Sequence, residues 1–239
     1  MRVIPEVQPN VFSQAIRAFW DTRLAQAEAQ RLKGVVDAGS RGAVTGGQQL
    51  NGFLRTIVDH MTAVGVPGSD IFLKGTQLPG YFRPTKDWDL VVVSNKALIA
   101  AIELKSQVGP SFGNNFNNRT EEALGNAVDI WTAYREGAFD TSPQPWLGYL
   151  FILEDSPKSR APIRVSEPHF RVFDEFREAS YAKRYELLCR RLVLERQYTA
   201  ASLLLTNREL AQEPFNYTEP AEDLSGRLFL SQLLRHVAR

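Results

Sequence analysis

Soft metal ligands are nearly missing from this 239-residue chain, which has one cysteine, Cys189, and three scattered histidines, His60, His169 and His236. A single thiol excludes an intramolecular disulfide framework and any cysteine-cluster zinc site. The isolation of the histidines argues against a histidine-metal centre. Cys189 falls in an amphipathic pattern and is expected to be a buried structural thiol. Charge of one sign is missing too, since 28 Lys and Arg balance 27 Asp and Glu. That is not the basic excess of a non-specific nucleic-acid binder, although a local basic cleft remains open to it. The longest apolar run, Ala97 to Ile102, is far too short to span a bilayer. Met1 to Asn10 has no apolar core of a signal peptide, so a cytoplasmic protein with no membrane partner is expected. Gly34 to Gly47 holds five glycines but not the G-K-[ST] ending of a phosphate-binding loop, and nucleotide binding is not indicated.

The stretch from Lys86 to Arg119 does carry chemistry. Asp89 heads the apolar run Leu90 to Val93, Ser94-Asn95-Lys96 breaks it, and a second run leads to Glu103-Leu104-Lys105. This predicts two antiparallel strands joined by a tight turn. Side chains alternate along a strand, so Glu103 and Lys105 share one face and Ile102 and Leu104 the other. A turn near Asn95 or Lys96 sets Asp89 opposite residues 101 to 103, where facing or diagonal partners lie roughly 4.5 to 8 Å apart. Carboxylates that close can share a divalent metal. Burying two carboxylates and a lysine in an apolar hairpin is costly unless they are paired or metal-bound. Oxygen ligands suit Mg²⁺, which is held by one or two carboxylates plus substrate phosphate. Phosphodiester hydrolysis is the chemistry suggested, with Asp89 and Glu103 on the metal and Lys105 touching the attacking water and a phosphate oxygen. Asp87, on the same strand face as Asp89, is the rival for the metal position.

The spacing Asp-x13-Glu-x-Lys resembles the PD-(D/E)xK nuclease superfamily, with Trp88 where that motif has proline. The words Leu73-Lys74-Gly75, Leu78 to Lys86, Glu103 to Ser106, Val108 to Arg119, Ser166 to Phe170, Ala179 to Tyr181 and Arg184 to Arg190 resemble the XhoI-type restriction endonucleases, over roughly Phe19 to Leu194. The resemblance implies a Mg²⁺-dependent type II enzyme, a homodimer acting on the double-stranded palindrome CTCGAG and cutting after the first C to leave four-base 5′ ends. It also implies a DNA methyltransferase as genetic companion. It places the acidic pair on Asp89 and Glu103 and the lysine on Lys105.

The order of elements predicts a mixed α/β chain, a sheet flanked by helices in the αβββαβ order of that superfamily. One domain over 1–239 is expected: a helical extension and Gly-rich loop over 1–47, a catalytic core over 48–155, and a helical part over 156–239. Helices are predicted over Val11–Leu32, Gln48–Val64, Thr120–Glu136, Arg177–Gln197 and Asp223–Ala238, with strands over Asp70–Lys74, Trp146–Leu153 and Ala200–Leu205. In Thr120–Glu136 the inward face is taken as Leu124, Val128, Trp131 and Tyr134. In Arg177–Gln197 it is Tyr181, Tyr185, Leu188, Leu192 and Leu194, with Lys183, Arg184, Arg190 and Arg191 outward. Asp59 is the only acid available on the helix where the superfamily often keeps an extra one.

Gln107 to Arg119 reads as a loop leaving the catalytic strand. Asn114, Asn115 and Asn117 are candidates for base contacts and Arg119 for guanine, while Asn118, three before Glu121, reads as a helix cap. Arg83 and Lys86 are either phosphate contacts or solvated charges at the strand entrance. Residues 34–47, with Arg41, are either a plain connector or a clamp on the DNA backbone. After Glu195 no resemblance is found. A structure-specific repair or junction-resolving nuclease of the superfamily, and a DNA-binding protein without cleavage, are the competing readings.

Overall fold

A computed structural model describes residues 4–32, 47–214 and 216–238. The Gly-rich loop and Arg41 lie outside the described residues except for Gly47.

Helix α1 (Ser13–Leu32) and helix α2 (Asn51–Ala63), which is led in by a 3-10 turn at Gln48–Leu50, form where periodic apolar residues predict them. Ile16, Phe19 and Trp20 of α1 and Phe53, Ile57 and Met61 of α2 are buried at three- and four-residue spacing. Strand β1 (Ile71–Phe72) is shorter than predicted. The proline-bearing segment after it is more than a turn: β2 (Gln77–Pro79) and β3 (Thr85–Asp87) pair as a separate two-stranded hairpin. Next come β4 (Leu90–Ser94) and β5 (Ala97–Gln107), antiparallel as expected. Asn95 and Lys96 between them both have positive φ (50° and 66°). That is the two-residue turn whose twist matches a hairpin.

Beyond β5 the chain crosses over twice. Helix α3 (Phe112–Arg135) leads to β6 (Trp146–Glu154), parallel to β5. After the short helix α4 (Pro157–Arg160), helix α5 (Tyr181–Leu194) leads to β7 (Ala200–Thr206), parallel to β6. The five-stranded mixed sheet has the order β1-β4-β5-β6-β7, and α6 (Gly226–Val237) closes the described chain. One face of the sheet, with Ile102, Leu104, Leu150 and Leu204, packs on α1, α2 and α6. The other, with Ala101, Tyr149, Phe151 and Leu203, packs on α3 and α5. This is the mixed, helix-flanked sheet expected of a restriction-endonuclease-like fold.

Several expectations are corrected. Helix α3 starts eight residues earlier than predicted, at Phe112, so Asn114, Asn115, Asn117 and Asn118 lie in its first two turns and Asn118 is no cap. Asparagine is a weak helix former, but packing outweighs propensity here. Phe112 stacks on Tyr181 at 5.7 Å and Phe116, one turn on, meets Tyr185 edge-on at 5.1 Å. The inward face of α3 is also a different one. Ala123, Ala127, Ile130 and Ala133 are buried, whereas Leu124 and Val128 are exposed. Small residues let the helix lie close on the sheet, and they carry little apolar signal. In α5, which starts at Tyr181 with Ser180 as its cap, Leu194 faces solvent. Lys183 and Arg190 of that helix pair with Glu186, and Arg191 pairs with Glu175.

Candidate active site

The register Leu90↔Ile102 brings Asp89, the residue just before β4, level with Glu103 across the hairpin. Its backbone N–H donates to the Ile102 carbonyl (3.1 Å), and its Oδ2 accepts the Leu104 N–H (2.7 Å). Asp87, by contrast, lies on β3, exposed, and accepts a hydrogen bond from Gln77. Of the two rivals only Asp89 is hydrogen-bonded to the β5 backbone beside Glu103. Asp59 is exposed on α2, on the opposite face of the sheet, so it adds no third acid.

Glu103 is fully buried. An isolated carboxylate would be untenable there, and four neighbours answer it. The Asn126 Nδ2 donates to both oxygens (2.9 and 2.8 Å), the Tyr198 hydroxyl donates to Oε2 (3.1 Å), and Lys105 Nζ lies 2.9 Å from Oε1. Lys86 Nζ, 3.4 Å from the same oxygen, adds a second cation. Burial works to raise the Glu103 pKa, but Lys105 and Lys86, with hydrogen bonds from Lys105 and Asn126, outweigh it and hold it below the usual carboxylate range. Asp89 goes the other way: burial raises it, and the Leu104 N–H and Lys105 offset only part. The two lysines divide likewise. Burial would lower both; Glu103 reverses this for Lys105, which is raised, and not for Lys86, which stays lowered.

The structure thus brings together Asp89, Glu103, Lys105 and Lys86. Lys86 is not a solvated charge, since its ammonium lies beside Glu103 and also sits 4.3 Å over the Trp88 ring. Arg83 is engaged internally, with Nε 2.7 Å from Asp129 Oδ2 and Nη2 2.6 Å from Asn126 Oδ1. Arg119 pairs with Glu122, whose carboxylate lies 3.9 Å from Lys105. Asn114 and Asn117 are exposed on the first turns of α3 and Asn115 is half-buried.

Three residues at this site escaped the sequence reading: Asn126, Asp129 and Tyr198. Asn126 and Asp129, three apart on α3, face inward beside Ala123, Ala127 and Ile130. Two polar groups on that small-residue stripe were the available signal, hidden because the larger Leu124 and Val128 suggested another face. The Asp129 carboxylate accepts the Tyr81 and Phe82 N–H groups (2.7 and 2.8 Å) as well as Arg83. Burial would raise its pKa, and these bonds together hold it below its ordinary value. Tyr198 comes from the segment that showed no resemblance. Cys189 is a buried thiol, as expected, its pKa pushed up to about 12 by burial.

The donor set can be weighed against a divalent cation. Among the described residues no group of three or more His, Cys, Asp or Glu side chains could hold a metal ion. Two carboxylates alone fit an ion of the Mg²⁺ kind, which keeps several waters and takes the rest of its shell from substrate phosphate. Glu103, Lys105 and a second lysine on one buried cluster suit the handling of a phosphodiester and its developing negative charge.

Comparison with known proteins decides the family. The family described as Restriction endonuclease XhoI matches residues 29–218. The chain belongs to that family. Its relatives include the type II restriction enzyme BstVI of Geobacillus stearothermophilus, 54% identical over 208 residues, covering 84% of this chain and 92% of the relative. The type II restriction enzyme XhoI of Xanthomonas vasicola is 47% identical over 183 residues (75% and 73%), and AbrI of Azospirillum brasilense 48% over 160 residues (66% and 72%). No solved structure matches. The XhoI-family match runs past Leu194, beyond the reach of the resemblance in the sequence words, and takes in β7 and Tyr198. As a member of this family the chain is a type II restriction endonuclease, an enzyme that cleaves double-stranded DNA at specific sites. Among the described residues no helix is long and apolar enough to cross a membrane.

Proposed function

We propose that this endonuclease is Mg²⁺-dependent, works as a homodimer on the palindrome CTCGAG, and cuts after the first C to leave four-base 5′ ends. Asp89, Glu103 and Lys105 are its catalytic residues. The observation that carries this reading is the convergence of Asp89, Glu103 and Lys105 on one side of the β4–β5 hairpin, with Lys105 Nζ 2.9 Å from Glu103.

Asp89 and Glu103 would hold the magnesium ion, which when bound polarises the scissile phosphate and lowers the pKa of a bound water. Asn126, by bonding both oxygens, and Tyr198, by bonding Oε2, fix the orientation of the Glu103 carboxylate. Lys105, which is partly exposed, can shift a hydrogen bond from Glu103 to a phosphate oxygen or to the attacking water, countering the charge that builds there. Lys86 keeps the buried carboxylate pair compensated before substrate arrives. A palindrome presents each strand identically to one of two subunits related by a two-fold axis, so one such site per subunit severs both strands. A host carrying this activity needs a methyltransferase to mark its own sites.

Asn114, Asn115 and Asn117, projecting from the first turns of α3, and Arg119 just beyond them are the proposed base-reading groups, since a helix fits the major groove. The test is digestion of plasmids with and without one CTCGAG site, in Mg²⁺ or in EDTA at fixed salt, followed by sequencing of the ends. A discrete Mg²⁺-dependent cut after the first C is the expected result. Discrete cutting elsewhere discards the target, and undiminished cutting in EDTA discards the metal.

A further inference from the structure

The β2–β3 hairpin ends in a tip that carries two large aromatic side chains into solvent, Tyr81 and Phe82, with 54% and 70% of their surface exposed. Exposed aromatics on a loose loop would mean little. This tip is not loose. Both backbone N–H groups donate to one oxygen of the buried Asp129 carboxylate, and Arg83 binds the other oxygen. Gly80 leaves the space for that carboxylate: a Cβ there would stand 2.5 Å from Asp129 Oδ2 and 2.7 Å from the Arg83 carbonyl. The two rings are packed edge to face, 5.1 Å apart. The backbone is held while the rings are left free, so little order has to be imposed when they meet a partner.

The tip is also continuous with the cleavage centre. Arg83 donates to Asn126 Oδ1, and Asn126 Nδ2 donates to both oxygens of Glu103. Lys86, on the descending strand of the same hairpin, reaches Glu103 directly. The hairpin is therefore one wall of the site around Glu103.

From this we infer that the Tyr81–Phe82 tip is a DNA-contacting wedge, which stacks against bases beside the scissile phosphate and whose placement is tied to Glu103 through the Asp129–Arg83–Asn126 bridge. The inference rests on the endonuclease reading and goes beyond it, since no base contact is otherwise assigned to this hairpin. Aromatic side chains inserted at a base step unstack it and kink the duplex, and base–aromatic stacking tolerates many sequences. On this account the tip contributes affinity and DNA distortion, while the α3 residues read bases.

The experiment uses full-length protein and two short duplexes, one with CTCGAG and one without, each carrying 2-aminopurine at the step beside the CTCGAG cleavage position or its equivalent. Binding and fluorescence are measured in EDTA, and cleavage is followed after Mg²⁺ is added. Wild type should raise the fluorescence of the CTCGAG duplex, as an unstacked base does. Phe82→Ala should abolish that rise and weaken binding about tenfold, Tyr81→Ala should weaken it less, and Phe82→Trp should retain both signals. Both positions are exposed, and an unchanged unfolding midpoint verifies that the variants fold. If Phe82→Ala binds, unstacks and cuts like wild type, the inference is wrong. If the substitutions change only the subunit association measured by sedimentation, the tip is a contact between copies and the inference is again wrong. Failure of wild type itself to bind or cut the CTCGAG duplex would instead overturn the proposed target beneath it.

Discussion

Strand β5 has two faces of opposite character. Ile102 and Leu104 enter a dry layer against α1, α2 and α6, whereas Glu103 and Lys105, between and beside them, enter a hydrogen-bonded layer with Asn126 and Tyr198. On the dry face, stability follows from area and close packing, and neighbours of similar volume can replace one another. The polar face obeys a different rule. Each buried group is tolerable only because a named partner answers it, so loss of one partner leaves a charge uncompensated. One strand thereby holds the protein together on one side and, on the proposed function, positions its chemistry on the other.

Substitutions within one strand should separate the two faces. The largest effect on cleavage is expected for Lys105→Met, which should lower the single-turnover rate by about a thousandfold; it also takes the nearest cation from the buried Glu103, so the urea midpoint should fall as well. A variant that cut at the wild-type rate would remove Lys105 from the chemistry. Ile102→Ala should cost stability alone: a loss of about 2 to 5 kcal/mol in urea unfolding, with cleavage per folded molecule preserved. Tyr198→Phe lies between them. It takes one donor from a buried carboxylate and should cost about 1 to 3 kcal/mol, together with some cleavage; no change in either quantity would mean that Tyr198 does not support Glu103.

The smallest and most discriminating effects concern pH, in metal-free buffer. Glu103 has a lowered pKa in the folded protein, so its contribution to stability is present above the unfolded value and fades as pH falls through the folded one. Glu103→Gln should therefore be less stable than wild type near neutrality, with the gap closing in acid. Asp89 has a raised pKa, so its contribution is full below the unfolded value and is lost as pH rises through the folded one. Asp89→Asn should be the more stable protein near neutrality, and that gain too should vanish in acid. Unfolding curves across pH for both variants check the opposite signs; two gaps of the same sign would show that the carboxylates are not differently placed.

The hairpin was legible in the sequence because its information is local. Alternation of period two, the Asn95-Lys96 turn and the spacing from Asp89 to Glu103 all lie within twenty residues or so. The course of α3 was not legible. Its start depends on Phe112 and Phe116 meeting Tyr181 and Tyr185 from another helix, and its inner face is made of alanines that no apolar count picks out. The partners of Glu103 were hidden for the same reason: Asn126 lies 23 positions away in the chain and Tyr198 lies 95. The internal acceptors of Arg83, Asp129 and Asn126, were equally hidden, more than forty positions downstream.

The most direct test of the central claim measures Glu103→Ala twice on one CTCGAG duplex, by equilibrium binding in EDTA and by single-turnover cleavage in Mg²⁺. Binding within a few-fold of wild type and no detectable cut is the result predicted for a residue of the cleavage centre that lies outside the base-reading surface. Cleavage at the wild-type rate, or loss of binding in a variant that still folds, would contradict it.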